Sequence, residues 1–340
     1  MMRLPWFDYR APRSVAEAAK ILAGEGPEAM LIAGGTDLLP NMKRRHQTPK
    51  VLVSLRGIEE LRKTGNGSGF ALGSALTLTE ITRSEKIKTD STALYQAAAQ
   101  VATPPLRNMG TLGGNLCLDT RCTYYNQNYE WRKAIDFCLK KDGETCWVAT
   151  ASKRCVAVSS TDTAPALIAL DAKVVLAGPD GEREIPVEAL YKNDGIDYLS
   201  RKPDEILTEI RIPEKKDFKS TYWKLRRRGS FDFPILGVAV ALQFSSNGVI
   251  ENARVALGAA ASRPFLVEKA GAYLLGKTLT DDVIAEASAM IANRAKPMDN
   301  TDMDLYWRKE VADDFAGYAL RELRGDDMRA TRRRIARFLP

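Results

Sequence analysis

All five cysteines of this 340-residue chain fall between Cys117 and Cys155, spaced Cys117-x4-Cys122-x15-Cys138-x7-Cys146-x8-Cys155. Scattered core cysteines do not gather in this way, and where no secretory leader is expected a thiol cluster points to metal rather than disulfides. Thiolates ligate zinc or iron–sulfur clusters, usually four at a time. A zinc site typically carries a CxxC knuckle, which this spacing lacks, whereas widely spaced ligands suit a loop wrapped around a larger cluster. Iron–sulfur ligation is the leading reading. A zinc staple and plain buried thiols stay open as alternatives.

Two glycine-rich loops are the other candidates for chemistry: Ala33-Gly34-Gly35-Thr36-Asp37 and Gly110-Thr111-Leu112-Gly113-Gly114-Asn115. Glycines let backbone N–H groups approach an anion closely, and Thr36, Thr111 and Asn115 can add side-chain hydrogen bonds. Either loop alone is equally a tight turn. Neither matches GxGxxG opening a βαβ unit, nor GxxxxGK[ST], so a Rossmann or P-loop site is not indicated. The single histidine, His46, lies in the polar stretch Lys43–Lys50, where a solvated or phosphate-facing role outranks a catalytic one. With no GxSxG, no HExxH and no scaffolded carboxylate pair, side-chain catalysis is not expected. The chemistry belongs to bound cofactors.

The elements that must position these groups are legible as patterns. Trp6–Arg10 reads as a strand, and Ser14–Ala23 as a helix opened by a Ser14/Glu17 capping-box pattern. The apolar run Ala29–Ala33 is a buried strand that ends directly in the first glycine loop. Val51–Leu55 and the hairpin-like strands around Gly69–Gly73 follow. Helices are expected from Leu78 and over Ser91–Val101, the latter stopped by Pro104-Pro105. A helix over Thr163–Leu170 and a strand over Lys173–Ala177 resume beyond residues 117–158, which look like an insertion. The charged stretch Glu214–Lys219 reads as a linker. After it come strands Val238–Phe244 and Ala253–Leu257 with Asn247-Gly248 as a turn, then helices Pro264–Leu275 and Asp281–Asn293.

At 45% hydrophobic and 27% charged residues the composition is that of a globular protein, and its length suggests two or three domains. No run of 18 apolar residues exists, and the opening MMRLPWFDYRAPRS has no apolar core behind a basic stretch. No membrane span is expected, and a cytoplasmic location follows. The net charge of +7 gathers partly between Arg321 and Arg337. A solvated helix or subunit-docking tail outranks nucleic-acid or membrane binding there, since no aromatic stacking platform is interleaved.

Taken in order, three motifs resemble the FAD-binding (medium) subunits of the xanthine oxidase and carbon monoxide dehydrogenase family. They are an A-G-G-T-D-L loop at Ala33–Leu38, R-N-x-x-T-x-G-G-N at Arg107–Asn115, and D-x-x-P-A-L at Asp162–Leu167. Glu205-Ile206-Leu207 through Pro213, Lys224, and Phe231–Pro234 leading into Gly237–Val240 extend the likeness over nearly the whole chain. The resemblance implies an α+β fold: a two-lobed FAD-binding domain of the PCMH/VAO type, then a C-terminal α+β domain like that of CO dehydrogenase flavoproteins. The boundaries drawn are 1–216 for the FAD domain (lobes 1–75 and 76–216, insertion 117–158), 217–325 for the second domain, and 326–340 for a basic tail. It implies that FAD pyrophosphate lies on Leu31, Ile32, Ala33, Gly34, Gly35, Thr36, Asp37 and Leu38, and on Gly110, Thr111, Gly113, Gly114 and Asn115. Asp162 would bond the ribityl or adenosine side, while Val101, Leu207 and Lys224 would lie near the isoalloxazine.

The insertion, from Asp119-Thr120-Arg121-Cys122 to Arg154-Cys155, further resembles the β subunits of 4-hydroxybenzoyl-CoA reductases. That implies a [4Fe–4S] cluster on Cys122, Cys138, Cys146 and Cys155, with Cys117 a small apolar filler against the flavin lobe. Periplasmic aldehyde oxidoreductases have a similar insertion with different spacing and are the nearer competitor. The implied partners are a molybdopterin-binding large subunit, a [2Fe–2S] small subunit and an external carrier such as ferredoxin. The assembly would be a heterotrimer able to dimerise, acting in aromatic degradation. Lys133, Lys140, Lys141 and Lys153 could steer an acidic donor, or simply form a solvated loop surface.

Overall fold

The computed structural model describes residues 3–65, 69–214 and 218–337, arranged around three sheets. The first holds β1 (Asp8–Arg10), β2 (Ala29–Ile32) and β3 (Val51–Ser54), parallel in the order β1-β3-β2. Parallel neighbours need crossovers, and the helix Val15–Glu25 supplies one, packing Ala18, Ala19 and Leu22 on the sheet. Central β3 is buried along its length. The Ser14 hydroxyl accepts from Glu17 N–H at 3.1 Å, but the Glu17 carboxylate accepts from Arg13 rather than from the cap residue.

The second sheet is antiparallel: β4 (Thr64–Gly65), β5 (Gly69–Gly73), β6 (Lys173–Gly178), β7 (Gly181–Pro186) and β8 (Ile206–Pro213), in the order β4-β5-β8-β6-β7. β4 and β5, inside the stretch 1–75, hydrogen-bond into this sheet rather than into the parallel one. Between β5 and β6 the chain leaves to build the second glycine loop and the cysteine insertion, then returns through the helix Thr163–Ala169.

The third sheet, also antiparallel, comprises β9 (Phe218–Leu225), β10 (Leu236–Phe244), β11 (Ile250–Gly258) and β12 (Phe265–Leu266) in the order β12-β11-β10-β9. Its period of two sorts residues between two cores. Val238, Val240 and Leu242 face the helices Asp281–Arg294 and Leu305–Arg324, while Ala239 and Ala241 face the lobe built on the second sheet. Small residues suit that second face. A Cβ on Gly258 would stand 2.9 Å from Pro165, so the helix Thr163–Ala169 lies directly on the sheet. Tyr222 and Lys224 on β9 share the alternation that faces this lobe, whereas Trp223 turns to the helices.

Three local expectations change. Pro264–Leu275 is not one helix: Phe265 and Leu266 pair with β11, closing the sheet edge, and the helix runs only over Glu268–Leu274. Of the linker 214–219, residues 215–217 lie outside the described residues, and β9 has begun by Phe218. The basic tail carries a helix, Arg329–Arg337, pinned by Arg332, whose guanidinium sits 4.0 Å from the Trp223 ring centroid and 2.6 Å from Glu322. Among the described residues no helix is long and apolar enough to cross a membrane.

Candidate functional site

The two glycine loops meet backbone to backbone. A Cβ on Gly34 would fall 1.9 Å from the Met109 carbonyl oxygen, and one on Gly110 would fall 3.5 Å from Thr36 Oγ1. Gly35 takes a positive φ of 70°, which lets β2 turn sharply into the helix Leu38–Lys43. A Cβ on Gly113 would meet Ser74 at 2.6 Å, so the second loop is pressed on the end of β5. Thr111 caps that loop's short helix Leu112–Leu116 by accepting from Gly114 N–H at 3.0 Å. Asn115 Oδ1 accepts from Thr161 Oγ1, Thr163 N–H and Thr163 Oγ1 at 2.9, 3.1 and 2.7 Å, which orients the amide and leaves its NH2 as the free group. Among the described residues, the N–H groups of Gly34, Gly35 and Thr36 reach no backbone carbonyl.

These loops wall a cavity of about 370 Å³. Leu31 through Leu38, Val101, Gly110, Thr111, Gly113, Gly114, Asn115 and Asp162 all line it. Leu207 and Lys224 do not: both are buried, Leu207 in β8 and Lys224 behind Asp162. Asp162 gives one carboxylate oxygen to the Tyr222 hydroxyl at 2.8 Å and the other to Lys224 Nζ at 2.9 Å, clasping the lobe of the second sheet to β9. Lys224 Nζ also donates to the Gln100 carbonyl at 3.0 Å. Burial pushes the Asp162 carboxyl up and the Lys224 ammonium down, each partly countered by the other's charge. A cavity rich in backbone donors, with glycines where any side chain would collide, fits a diphosphate cofactor such as FAD.

The lining also includes residues to which the sequence patterns assign no site role. Arg121, one residue before Cys122, reaches back to ion-pair with Asp37 and donates to Asn41 Oδ1 at 2.9 Å. Its guanidinium lies 4.8 Å from the ring of Phe233, which lines the cavity together with exposed Phe231. Long-range contacts of this kind leave no periodicity to detect.

Cys122, Cys138, Cys146 and Cys155 are all buried and together line a second, small cavity, while Cys117 lines the first. This second cavity, lined also by Tyr124, Tyr125 and Lys140, is about 10 Å³. Among the described residues no group of three or more His, Cys, Asp or Glu side chains has the close spacing that a single metal ion needs. Burial pushes the Cys122 thiol up to about 11 and the Cys155 thiol up to about 12. Gly195 abuts this site: its Cβ would stand 2.6 Å from Cys155 Sγ.

Two readings of the surrounding residues are corrected. Lys140 is not a solvated, donor-steering lysine: its side chain is 7% exposed and bonds Asp119 at 2.8 Å. Its charged sequence neighbours disguise an inward turn. His46 is buried rather than solvated, stacked at 4.3 Å on Tyr125. Burial, with the charges of Arg132 and Arg44, holds its imidazole down at about 4. The unfolded imidazole titrates near 6.5, so between those values the unfolded chain binds the extra proton. Stability is therefore full above pH 6.5 and falls as pH drops toward 4, by roughly 1–3 kcal/mol after screening. Denaturant midpoints from pH 7 to 4 should show this slope, and His46→Phe, which keeps the stacking, should flatten it; an equal slope in both excludes His46 as the source.

The model of the FAD binding domain in molybdopterin dehydrogenase matches residues 5–215, and that of the CO dehydrogenase flavoprotein C-terminal domain matches residues 220–323. The FAD-binding subunit of an aldehyde oxidoreductase from Escherichia coli is 31% identical over 85% of this chain and 93% of its own length. The medium chain of carbon monoxide dehydrogenase from Hydrogenophaga pseudoflava is 29% identical over 85% and 87%. A solved carbon monoxide dehydrogenase structure from the same organism superimposes with a TM-score of 0.76 over 94% of this chain and 97% of that chain, at 27% identity. With the glycine-loop cavity and the third sheet falling inside the two matched regions, the chain belongs to the molybdenum hydroxylase family as its flavoprotein component, the FAD-binding subunit of an oxidoreductase.

Proposed function

We propose that this chain carries a [4Fe–4S] cluster on Cys122, Cys138, Cys146 and Cys155 beside its FAD, and serves as the electron-transfer subunit of a complex with a molybdopterin-binding large subunit and a [2Fe–2S] small subunit. The observation that carries the reading is four buried thiols lining one cavity, one residue along the chain from the flavin cavity wall at Arg121. Four thiols without a CxxC knuckle suit iron–sulfur ligation better than a zinc staple. The stretch from Cys138 to Cys155 contains neither helix nor strand, so no regular element fixes the spacing of its thiols.

FAD in the first cavity supplies exchange of electrons one or two at a time, whereas iron–sulfur centres handle them singly. The loops Leu31–Leu38 and Gly110–Asn115 hold its anionic part through backbone donors, Asn115 offers its amide NH2, and Val101 closes the apolar side. The expected roles of Leu207 and Lys224 near the ring rest on the family likeness alone. A cytoplasmic location belongs to the same reading, since free thiols persist in a reducing compartment.

The likeness of the insertion to 4-hydroxybenzoyl-CoA reductases supports a reductive role: an external donor such as ferredoxin supplies electrons for removing a phenolic hydroxyl at the partner's molybdenum. A second, oxidative reading with electrons passing outward is favoured by the 31% identity to an aldehyde oxidoreductase subunit. Purified protein should show flavin absorbance with a broad iron–sulfur shoulder and about four irons per chain. Serine at Cys122, Cys138, Cys146 or Cys155 should abolish the iron, and Cys117→Ser should leave it. Zinc in colourless protein sinks the proposal. A cluster potential well above that of the flavin counts against the reductive direction.

A further inference from the structure

Between the two cavities stands a buried ion pair. Asp119 lines the flavin cavity and Lys140 lines the four-thiol cavity, and their side chains, 5% and 7% exposed, meet at 2.8 Å. All three Lys140 donors are spent, the other two on Thr120 Oγ1 at 2.9 Å and the Gly195 carbonyl at 2.6 Å. Asp119 Oδ2 accepts from the Tyr125 hydroxyl at 3.0 Å and from Gln47 at 3.4 Å. The ammonium also lies 4.8 Å from the Tyr125 ring and 5.4 Å from the Tyr198 ring, rings that line the thiol and flavin cavities respectively. Gly195, which accepts from Lys140, donates its N–H to the Cys155 carbonyl at 2.9 Å. The lysine is thereby tied to the loop that carries a thiol.

A buried ion pair is weak evidence for stability, because well-packed apolar groups of equal volume often serve as well or better. Its orientation is the informative part. The cation belongs to the residue that lines the thiol cavity, where its charge acts on Cys155, and the anion to the residue that lines the flavin cavity, in a wall dry enough for charges to act strongly. A fixed cation beside a thiolate-ligated centre favours its reduced, more negative state and so raises its potential.

We propose that Lys140 is a positioning residue whose fixed charge raises the potential of the centre held by Cys122, Cys138, Cys146 and Cys155, and that Asp119 screens the flavin cavity from that charge. The proposal rests on the reading that these thiols hold an iron–sulfur cluster. The test compares the complex as purified with Lys140→Gln and with Asp119→Asn/Lys140→Gln. Iron and FAD per chain are measured first, then FAD affinity by fluorescence and the cluster midpoint by spectroscopic redox titration. Lys140→Gln should keep its iron, lower the midpoint, and weaken FAD binding by about tenfold, because an unpaired buried carboxylate then faces an anionic cofactor. The double variant should recover FAD affinity while its midpoint lies between the other two. An unchanged midpoint at full iron content overturns the proposal. Loss of iron in both variants assigns the pair a structural role and overturns it too. Wild-type protein without iron instead brings down the cluster reading itself, a different failure from either.

Discussion

Gly34→Ala should strip FAD from the chain more completely than any other single methyl group added to the flavin lobe. The new Cβ would stand 1.9 Å from the Met109 carbonyl oxygen, 2.5 Å from its carbon and 3.0 Å from Gly110 N. Real Cβ atoms do not approach backbone this closely, and these are backbone atoms that cannot rotate away. The two glycine loops must part, and the donors they hold in register part with them. Overpacking of this kind costs about 1–3 kcal/mol in stability, occasionally more. Binding suffers further, because a preorganised nest loses its geometry; strain of about 1–3 kcal/mol borne by the bound state lowers affinity roughly five- to hundredfold. Gly24→Ala is the control. It lies in the helix Val15–Glu25 with nothing within 4 Å of the added atom, so it should keep its flavin and gain a few tenths of a kcal/mol to about 1 kcal/mol. Flavin absorbance per chain and thermal midpoints read both. Normal flavin content in Gly34→Ala would show that the loops do not form the binding nest.

What the sequence made legible, and what it hid, follows the range of the interactions. The glycine loops are visible as composition and the cysteines as spacing, because both are local. Alternation along β10 and β11 was likewise readable as strands, with Asn247-Gly248 as the turn: Gly248 has φ of 75° and Ser245 N–H bonds the Val249 carbonyl at 2.8 Å. The wall between the cavities was not. Lys140 sits among charged residues and Asp119 in an unperiodic loop, so their 21-residue separation gives no sign that they meet. His46 suffered the same fate in a polar stretch, since Tyr125 from the insertion stacks on its buried ring. Phe265–Leu266 is a strand because β11 offers a free edge, a fact outside its own residues. In each case a partner distant in the chain decides.

Lys224→Met shows how such a distant partnership governs stability. With the ammonium gone, Asp162 keeps the Tyr222 hydroxyl and the charge of Arg226 but loses its ion-pair partner, and breaking a buried pair from one side costs about 3–5 kcal/mol. The loss should depend on pH in a definite sense. Burial already holds the Asp162 carboxyl above its ordinary value, and removing Lys224 raises it further. The unfolded carboxyl ionises near 3.9, so between that value and the raised folded one the native state binds the extra proton. Contrary to the usual carboxylate, the contribution of Asp162 is then fully present in acid and declines as pH rises through the folded value. The variant should approach wild type near pH 4 and diverge from it toward pH 8. Asp162→Asn/Lys224→Met, which leaves no charge to strand, should recover most of the deficit at pH 8. Denaturant midpoints across that range decide the matter: a pH-independent loss, or a double variant no better than the single, would mean that packing of the lysine chain and its bond to the Gln100 carbonyl, rather than the ion pair, hold the lobe of the second sheet to β9.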